Sequence, residues 1–272
     1  MIDILYCGNH KVFDGVLTSA LSIVRRMESP RPLTIHIFTM ELTRVSPDYL
    51  CLSEEQCNLL QEALQRHNPQ TLVKRYDVTA LYEAHLKGNI NEGCYCSPYT
   101  LLRLLADLVP MPAKLLYLDV DVMACRDIGL LFDQDISHVE YAAARDHYGK
   151  FLVYPNYINA GVLLFNMENC RRTGLFPEAR ALIQRKKLLF ADQSALIRST
   201  TRRKLLSQRF NDQKFLYRGT VIRHFSKRLF YLPYPHTENI KQWQVDRLRE
   251  KFRYTCFDDV LEEYLTIKEK IS

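Results

Sequence analysis

The sequence predicts an α/β protein in which a mixed, mostly parallel central sheet carries helices on both faces. Three observations predict it. Strand-like and helix-like segments alternate along the N-terminal part of the chain, one later strand is apolar at nearly every position, and two carboxylates follow that strand directly. A chain of 272 residues forms one large domain or two small ones and needs no disulfide or structural metal to fold.

In the N-terminal part, predicted strands and helices come in strict alternation. Short apolar or β-branched runs predict the strands, and apolar residues at helical spacing predict the helices. A capping-box pattern, Ser53 followed by Gln56, marks the start of the second helix. In chain order these elements are strand 2–6, helix 13–27, strand 33–40, helix 53–66 and strand 71–77.

The later part of the chain continues this pattern and then changes character. Residues 114–118 are apolar at nearly every position, as expected for a central strand buried on both faces. Beyond residue 225 the alternation ends, and basic and aromatic residues dominate. We therefore predict a catalytic α/β domain over residues 1–225 and a helical, basic and aromatic extension over residues 226–272. The predicted elements are helix 97–108, strands 114–118, 139–144, 161–167 and 220–223, and helices 177–187, 192–199, 240–252 and 257–270.

Composition excludes several classes of protein. With 47% apolar and 25% charged residues, the chain is neither mainly disordered, nor collagen-like, nor a coiled coil. Its longest apolar runs are far shorter than the ~20 residues that span a bilayer, and no secretory signal is visible. A net charge of +6 is compatible with an anionic substrate or membrane surface and gives little support for a nucleic-acid partner. Eight cysteines without a C-x-x-C pair predict free thiols in a reducing cytoplasm.

Asp119 and Asp121 are the sharpest chemical feature of the sequence. They follow the predicted strand 114–118, at the sheet edge where open α/β proteins bind ligands. Alternate residues of an extended segment point the same way, so the two carboxylates can converge while Val120 turns into the core. Converging carboxylates repel each other unless a cation lies between them, and their hard oxygens suit Mn²⁺ or Mg²⁺. The alternative is a pair of solvated loop aspartates.

The segments around these carboxylates, SPYTLLRLLADLVP and YLDVDVM, resemble the retaining glycosyltransferases of family 8, which include bacterial lipopolysaccharide galactosyl- and glucosyltransferases and glycogenin. Further segments match the family in order: DILYCGNHKVFDGVLTSALSI, YINAGVLLFNMENCR, FADQSALI, RFN and VIRHFS. Together they extend roughly over residues 2–227. The resemblance implies a GT-A type, Rossmann-like fold and a nucleotide-diphosphate sugar donor, usually a UDP-hexose. It also implies Mn²⁺, with Mg²⁺ as the alternative ion.

The resemblance assigns roles to residues in the metal and reaction centre. Asp119, Asp121 and His224 would bind the metal, although His224 taken alone is equally typical of a core or surface histidine. Asp192 and Gln193 match the D-Q pair that lies beside the anomeric carbon in the family. There we expect Gln193 to position and stabilise the sugar rather than attack it, and Asp192 is alternatively a helix N-cap.

The resemblance also assigns the donor and acceptor contacts. Cys7, Gly8 and Asn9 would form the base-binding loop, and Asn9 replaces an acidic residue common in the family, which leaves the base open. Arg103 would contact the donor sugar or phosphate, with a surface arginine as the alternative. Asp146 is a candidate acceptor contact or an ordinary loop residue. The implied donor-binding residues are Cys7, Gly8, Asn9, Arg103, Asp119, Val120, Asp121, Asn159, Ala160, Asp192, Gln193, His224 and Lys227.

The segment after His224 departs from the family. The usual pattern is H-x-x-G-x-x-K-P-W, whose glycine and lysine hold the diphosphate, whereas this chain reads HFSKRLFY. Lys227 or Arg228 is therefore expected to supply the positive charge. Two alternatives remain. One is a catalytically silent protein that binds a UDP-sugar or a glycan. The other is a phosphohydrolase that uses the two aspartates, but the sequence lacks the downstream Gly-Asp pair that such an enzyme would need.

The main interpretation is retaining transfer of a hexose, glucose or galactose, from UDP to a hydroxyl of a glycan, glycolipid or lipopolysaccharide-type acceptor. A divalent cation would neutralise the charge that grows on the departing UDP. The basic and aromatic stretch 218–254 is expected to rest on an anionic inner membrane leaflet, with an ordinary basic surface as the alternative. We expect a bacterial, cytoplasmic protein, peripheral on the membrane, without a nucleic-acid partner.

Overall fold

The computed structural model describes residues 1–92, 97–232 and 234–270. Its strands are β1 (Ile2–Cys7), β2 (Leu33–Thr39), β3 (Thr71–Asp77), β4 (Lys114–Leu118), β5 (Val122–Ala124), β6 (Tyr141–Arg145), β7 (Ile158–Asn166), β8 (Arg203–Leu206), β9 (Ile222–His224), β10 (Arg228–Phe230) and β11 (His236–Glu238). Seven strands form one sheet in the order β3-β2-β1-β4-β7-β6-β8. Within it only β7 runs against its neighbours, β4 and β6. The predicted mixed, mostly parallel sheet is confirmed.

Helices cover both faces of this sheet. They are α1 (Phe13–Arg26), α2 (Glu54–Gln65), α3 (Thr79–His85), α4 (Gly129–Phe132), α5 (Gly149–Leu152), α6 (Met167–Thr173), α7 (Leu175–Arg185), α8 (Ala191–Ser199), α9 (Val245–Phe252) and α10 (Asp258–Glu269). The apolar sides of α1, α2 and α10 share one hydrophobic cluster with the sheet, and those of α7 and α8 share another. The two clusters use alternate residues of β1, since Ile4 belongs to the first and Leu5 to the second.

Most predicted elements are present, with two informative differences. Residues predicted as helix 97–108 form a 3₁₀ helix, Pro98–Leu105, whose first turn is capped by the Ser97 side chain. Strand β7 begins at Ile158 rather than at Gly161, because β6 pairs with it past a register shift that sets Arg145 opposite Ile158. The capping box at Ser53 and Gln56 is confirmed.

The C-terminal segment packs into the same core as the residues before it. Leu261 and Tyr264 of α10 lie in the hydrophobic cluster formed around α1. Arg26 of α1 binds both carboxylate oxygens of Asp259 on α10 at 2.7 Å, and Arg25 binds Glu263 at 2.8 Å. The domain boundary at residue 225 stays a prediction, but the segment beyond it contributes apolar residues to the shared core.

Within the described part of the chain, the cysteines carry free thiols: Cys7, Cys51, Cys57, Cys125, Cys170 and Cys256. Cys94 and Cys96 lie outside that part. Among the described helices, none combines the length and the apolar character needed to cross a membrane.

Replacement of Leu261 by alanine should destabilise the whole protein. Leu261 lies on the core-facing side of α10 and is fully buried. Truncation to alanine would leave a cavity in the core. We expect Leu261→Ala to lower the free energy of unfolding by about 2–5 kcal/mol in urea denaturation. The matched control, Leu265→Ala on the more exposed side of the same helix, should change it by less than about 0.5 kcal/mol. Equal effects of the two substitutions would contradict the packing of α10 into the core.

Candidate active site at the end of strand β4

A two-stranded antiparallel ladder brings His224 to the carboxylates that follow β4. In it, β5 pairs with β9, and Val122 lies directly opposite His224. The ladder continues past both residues, since the Phe225 amide donates to the Asp121 carbonyl at 2.8 Å. Two segments that are distant in sequence are therefore fixed in register, and the His224 side chain lies beside Asp121.

Asp119, Asp121 and His224 form a compact set of metal-ligating atoms. His224 Nε2 lies 3.1 Å from Asp121 Oδ1 and 3.8 Å from Asp119 Oδ2, and one ligand atom from each residue falls within 4.8 Å of the others. Burial raises the pKa of Asp121, but the adjacent Lys241 and His224 outweigh it and hold that pKa well below its usual range. Anionic oxygens with one imidazole nitrogen suit Mn²⁺, and the oxygens alone suit Mg²⁺. The residues present therefore fit a divalent cation.

Gly161 allows the cluster to be this compact. A Cβ placed on Gly161 would lie 2.8 Å from both Asp119 Oδ2 and His224 Nδ1, and closer still to the imidazole carbon between its nitrogens. The Gly161 carbonyl also accepts the Asp119 amide at 2.8 Å. The backbone of β7 thus forms one wall of the cation site, and only glycine leaves room for the other side chains.

Arg103 links the cation site to the start of α8. It is 2% exposed and lies over the Tyr117 ring at 3.9 Å, so it does not extend to the surface. Its guanidinium donates to Asp119 Oδ1 at 2.9 Å and lies 3.3 Å from Asp192 Oδ2. Burial lowers the pKa of Arg103, and the surrounding Tyr117, Asp192 and Asp119 more than reverse that effect. Arg103 therefore remains a buried cation that holds two carboxylates in place.

Asp192 and Gln193 lie in the first turn of α8, both buried. Gln193 Oε1 accepts the Ala160 amide at 2.9 Å, and the Ala160 carbonyl accepts Arg103 Nη1 at 2.5 Å. Burial raises the pKa of Asp192 against the opposing charge of Arg103. The helix cap is Phe190 rather than Asp192. The predicted D-Q pair is thus tied to β7 through Ala160 and to Asp119 through Arg103.

Asn159 and Asp146 are linked to each other by a hydrogen bond between their side chains. Asp146 Oδ2 accepts Asn159 Nδ2 at 2.9 Å, and its other oxygen accepts the amides of Tyr148 and Gly149. Asp146 therefore shapes the turn into α5. Its predicted contact with an acceptor, like the donor contact of Asn159, stays a prediction.

A cavity of about 300 Å³ opens beside Asp119 and Asp121. The predicted donor-binding residues that line it are Cys7, Gly8, Asn9, Asp119, Val120 and Asp121. Burial raises the pKa of the Cys7 thiol, so this cysteine is an uncharged wall residue. Val120, expected to turn into the core, is half-buried and lines the cavity. The residues that sequence reasoning missed are Val12, Ser97, Tyr99, Thr100, Tyr117, Lys241 and Trp243.

The lysine that the structure places beside Asp121 is Lys241, which the sequence interpretation did not single out. Its ammonium group binds Asp121 Oδ2 and donates to the Phe225 carbonyl at 3.2 Å. Lys227 is exposed and does not line the cavity, and Arg228 lies over the rings of Phe230 and Phe252. The β10–β11 hairpin lies between His224 and a Lys-Gln-Trp sequence that contributes Lys241 and Trp243 to the cavity. The single tryptophan of the sequence was the signal that could have located them. The predicted donor contact of Lys227 stays a prediction.

Comparisons with known proteins bear on the family and on the fold. The sequence model of Glycosyl transferase family 8 matches residues 3–228. A search among curated proteins found no significant match. Similar solved structures include the bifunctional glycosyltransferase WbbM in its apo form, with a TM-score of 0.70 and 18% identity over 98% of this chain and 51% of that one. They also include GlyE of Streptococcus pneumoniae TIGR4, with a TM-score of 0.65 and 17% identity over 98% of this chain and 64% of that one.

A third structure is that of the galactosyltransferase LgtC in complex with donor and acceptor sugar analogs. Its TM-score is 0.64, with 15% identity over 97% of this chain and 96% of that one. This chain spans about half the length of the WbbM chain and nearly all of the LgtC chain. At such identities the likeness concerns the fold, and the GT-A fold predicted from the sequence is confirmed.

Substitution of Gly161 by alanine should disrupt the cation site selectively. The added methyl group must displace His224 or Asp119, so we expect Mn²⁺ affinity to fall at least about tenfold, with a stability loss of about 1–3 kcal/mol. Mn²⁺ binding is measured by electron paramagnetic resonance and stability by urea unfolding. The control is Gly219→Ala, where the new Cβ meets nothing within 4 Å. Unchanged Mn²⁺ binding in a folded Gly161→Ala protein would refute the placement of the site.

Proposed function

The chain belongs to glycosyl transferase family 8, and from that premise we propose that it transfers a hexose from a UDP-sugar to a hydroxyl of a glycan or glycolipid, with retention of configuration. Glucose and galactose are the favoured sugars and Mn²⁺ the favoured ion. The observation that carries the proposal is the convergence of Asp119, Asp121, His224 and Lys241, of which the two aspartates and the lysine line the cavity. That arrangement supports the binding of a metal and a diphosphate together.

In the proposed complex, the nucleoside lies along the cavity and the diphosphate at its cationic end. Cys7, Gly8 and Asn9 line one side of the cavity, where a base would lie. A divalent cation held by Asp119, Asp121 and His224 would neutralise the charge that develops on the leaving diphosphate. Lys241 would add a second positive charge to the same oxygens once a cation engages Asp121 in its place.

The sugar would lie between the cation site and α8. Gln193 and Asp192 approach this space from the first turn of α8, and both are fixed by hydrogen bonds or ion pairs to neighbouring elements. As the anomeric bond breaks, positive charge develops on the sugar ring, which nearby polar or anionic groups stabilise. We favour front-face attack, in which the departing phosphate oxygen takes the proton of the acceptor hydroxyl. Gln193 then positions the sugar and forms no bond to it.

The acceptor side of the site supports a lipid-linked substrate. Tyr148, close to the candidate acceptor residue Asp146, contacts two other segments: its hydroxyl accepts the Leu229 amide at 3.3 Å, and Lys214 lies 5.9 Å above its ring. What we call the apolar rim is a set of exposed side chains on these three segments, namely Phe151 and Leu152 after Tyr148, Phe215 and Tyr217 beside Lys214, and Tyr231 and Leu232 after Leu229.

Charge favours an anionic membrane as the partner of the apolar rim. Lys150 lies 5.0 Å from the Phe151 ring, and Lys214 lies 5.3 Å from the Phe215 ring. Exposed aromatic and aliphatic side chains beside lysines are typical of proteins that bind the interface of anionic bilayers. Other aromatic residues of the predicted stretch 218–254, such as Phe225 and Phe252, pack against each other instead. We therefore propose that the rim rests on the cytoplasmic face of a bacterial inner membrane.

Metal-dependent turnover tests the proposed reaction. We expect release of UDP from one UDP-hexose of a panel in the presence of Mn²⁺, slowly with water and faster with an acceptor, and none in EDTA. Asp121→Asn should reduce turnover at least about a hundredfold, since metal charge stabilisation is worth several kcal/mol. Asp246→Asn, on the exposed side of α9, is the matched control and should keep full turnover. UDP binding without turnover of any donor, with and without acceptors, would favour the silent binding protein.

Vesicle binding tests the apolar rim. Leu152→Ser combined with Leu232→Ser should lower the partition coefficient onto phosphatidylglycerol-containing vesicles at least about tenfold, because each leucine loses up to about 1.5–3 kcal/mol of apolar burial. Leu72→Ser combined with Leu130→Ser, exposed leucines far from the rim in sequence, serves as the control and should bind like the wild type. Equal binding to vesicles of pure phosphatidylcholine, or equal losses in both variants, would count against the anionic membrane.

A further inference from the structure

A chain of buried amides connects His224 to Asp146. Asn211, which is fully buried, lies between two partners: its Oδ1 is 3.0 Å from His224 Nδ1, and its Nδ2 is 2.9 Å from Asn159 Oδ1. Asn159 in turn donates from Nδ2 to Asp146 Oδ2 at 2.9 Å. Asn211 follows the 3₁₀ turn Gln208–Phe210, and neither the donor contacts nor the cation ligands described above include it.

One backbone amide sets the direction of the hydrogen bonds that connect these amide side chains. The Gly161 amide lies 2.9 Å from one side-chain atom of Asn159 and can only donate, so that atom is the oxygen Oδ1. The Asn211 atom that faces Asn159 Oδ1 must then be the nitrogen Nδ2, since two oxygens would repel each other. The orientation of both amides is thereby fixed without ambiguity between oxygen and nitrogen.

The same argument shows which ring nitrogen of His224 can bind a cation. Because Asn211 Nδ2 faces Asn159, Asn211 Oδ1 faces His224 Nδ1 and can only accept a hydrogen bond. His224 can therefore bind a cation through the lone pair of Nε2, on the side of the two carboxylates, while its ring proton is on Nδ1 and is donated to Asn211. A ring nitrogen binds a metal only through such a lone pair, and the hydrogen bond at the other nitrogen sets which tautomer is present. Without a cation, Nε2 lies 3.1 Å from Asp121 Oδ1 and can instead donate a proton to that carboxylate.

We propose that Asn211 is a positioning residue that holds His224 in the tautomer able to bind a cation and, with its amide nitrogen, locks Asn159 towards Asp146. One buried side chain thus orients a group on the cation side and a group on the acceptor side of the reaction centre. The proposal relies on the cation site of the proposed function, but the hydrogen bond between Asn211 and His224 Nδ1 exists without any ion, sugar donor or acceptor.

Nitrogen-15 NMR of the protein loaded with Zn²⁺, a diamagnetic substitute for Mn²⁺, tests the tautomer directly. The ring nitrogens of His224 are assigned by comparison with His224→Gln, and a neutral imidazole then shows which nitrogen carries the proton. We expect protonated Nδ1 and unprotonated Nε2 in the wild type. Protonated Nε2 would overturn the proposal, whether or not the protein proves to be a transferase.

Two substitutions of Asn211 separate positioning from packing. Asn211→Leu removes both hydrogen bonds, so we expect the Nδ1 preference to disappear and Mn²⁺ affinity to fall about 10–100-fold. Asn211→Asp keeps an oxygen for the Nδ1 proton of His224 but sets an oxygen against Asn159 Oδ1. It should keep the tautomer and Mn²⁺ affinity within about threefold of wild type, while the loss of order at Asn159 lowers donor turnover.

The control is Asn68→Leu, which removes a buried asparagine whose bonds to the Arg31 carbonyl and the Gln70 amide lie away from the cation site. It should lower stability and leave Mn²⁺ affinity unchanged. Wild-type Mn²⁺ affinity in folded Asn211→Leu, or an Asn211→Asp protein that loses the Nδ1 tautomer, would contradict the proposed role. If Asn211→Leu does not fold, the wild-type spectrum and the Asn211→Asp protein decide the outcome.

Discussion

The pairing of β5 with β9 is the constraint on which the candidate site depends. Neither strand belongs to the central sheet, yet their ladder fixes Val122 opposite His224 and continues to Asp121 and Phe225. The backbone of His224 also holds a third segment, since its amide donates to the Asp212 carbonyl at 2.9 Å, and Asn211 precedes Asp212. The register of one short ladder therefore determines the distances between the cation ligands.

Charge explains why so many buried polar groups are stable in this small volume. Three carboxylates, those of Asp119, Asp121 and Asp192, lie near one another, and an unpaired buried charge would be costly. Arg103 bridges the first and the third, while Lys241 balances Asp121, and His224 Nε2 lies 3.1 Å from the same carboxylate. A divalent cation bound to Asp121 would replace Lys241 in its ion pair with that carboxylate. Under the proposed function, metal binding would therefore make the Lys241 charge available to the diphosphate.

Much of this could be predicted from the sequence, because the informative patterns are local. The apolar run of β4 followed by Asp119 and Asp121 identified a strand and its functional edge, and the order of family-like segments identified His224. What could not be predicted depends on pairing between distant segments. Lys241 and Asn211 follow irregular turns, and only the β5–β9 ladder and the β10–β11 hairpin bring them to the carboxylates. The spacing of apolar residues along the sequence does not indicate such contacts.

The central claim is that the cation and the diphosphate share one site, and the fluorescence of Trp243 measures it most directly. This is the only tryptophan of the chain and it lines the cavity, so bound UDP should change its emission. The account predicts UDP binding that requires Mn²⁺ and weakens about 10–100-fold in Lys241→Gln but not in the matched control Lys227→Gln. UDP affinity that is unaltered by EDTA would contradict it. So would UDP affinity that is lost in Lys227→Gln and kept in Lys241→Gln.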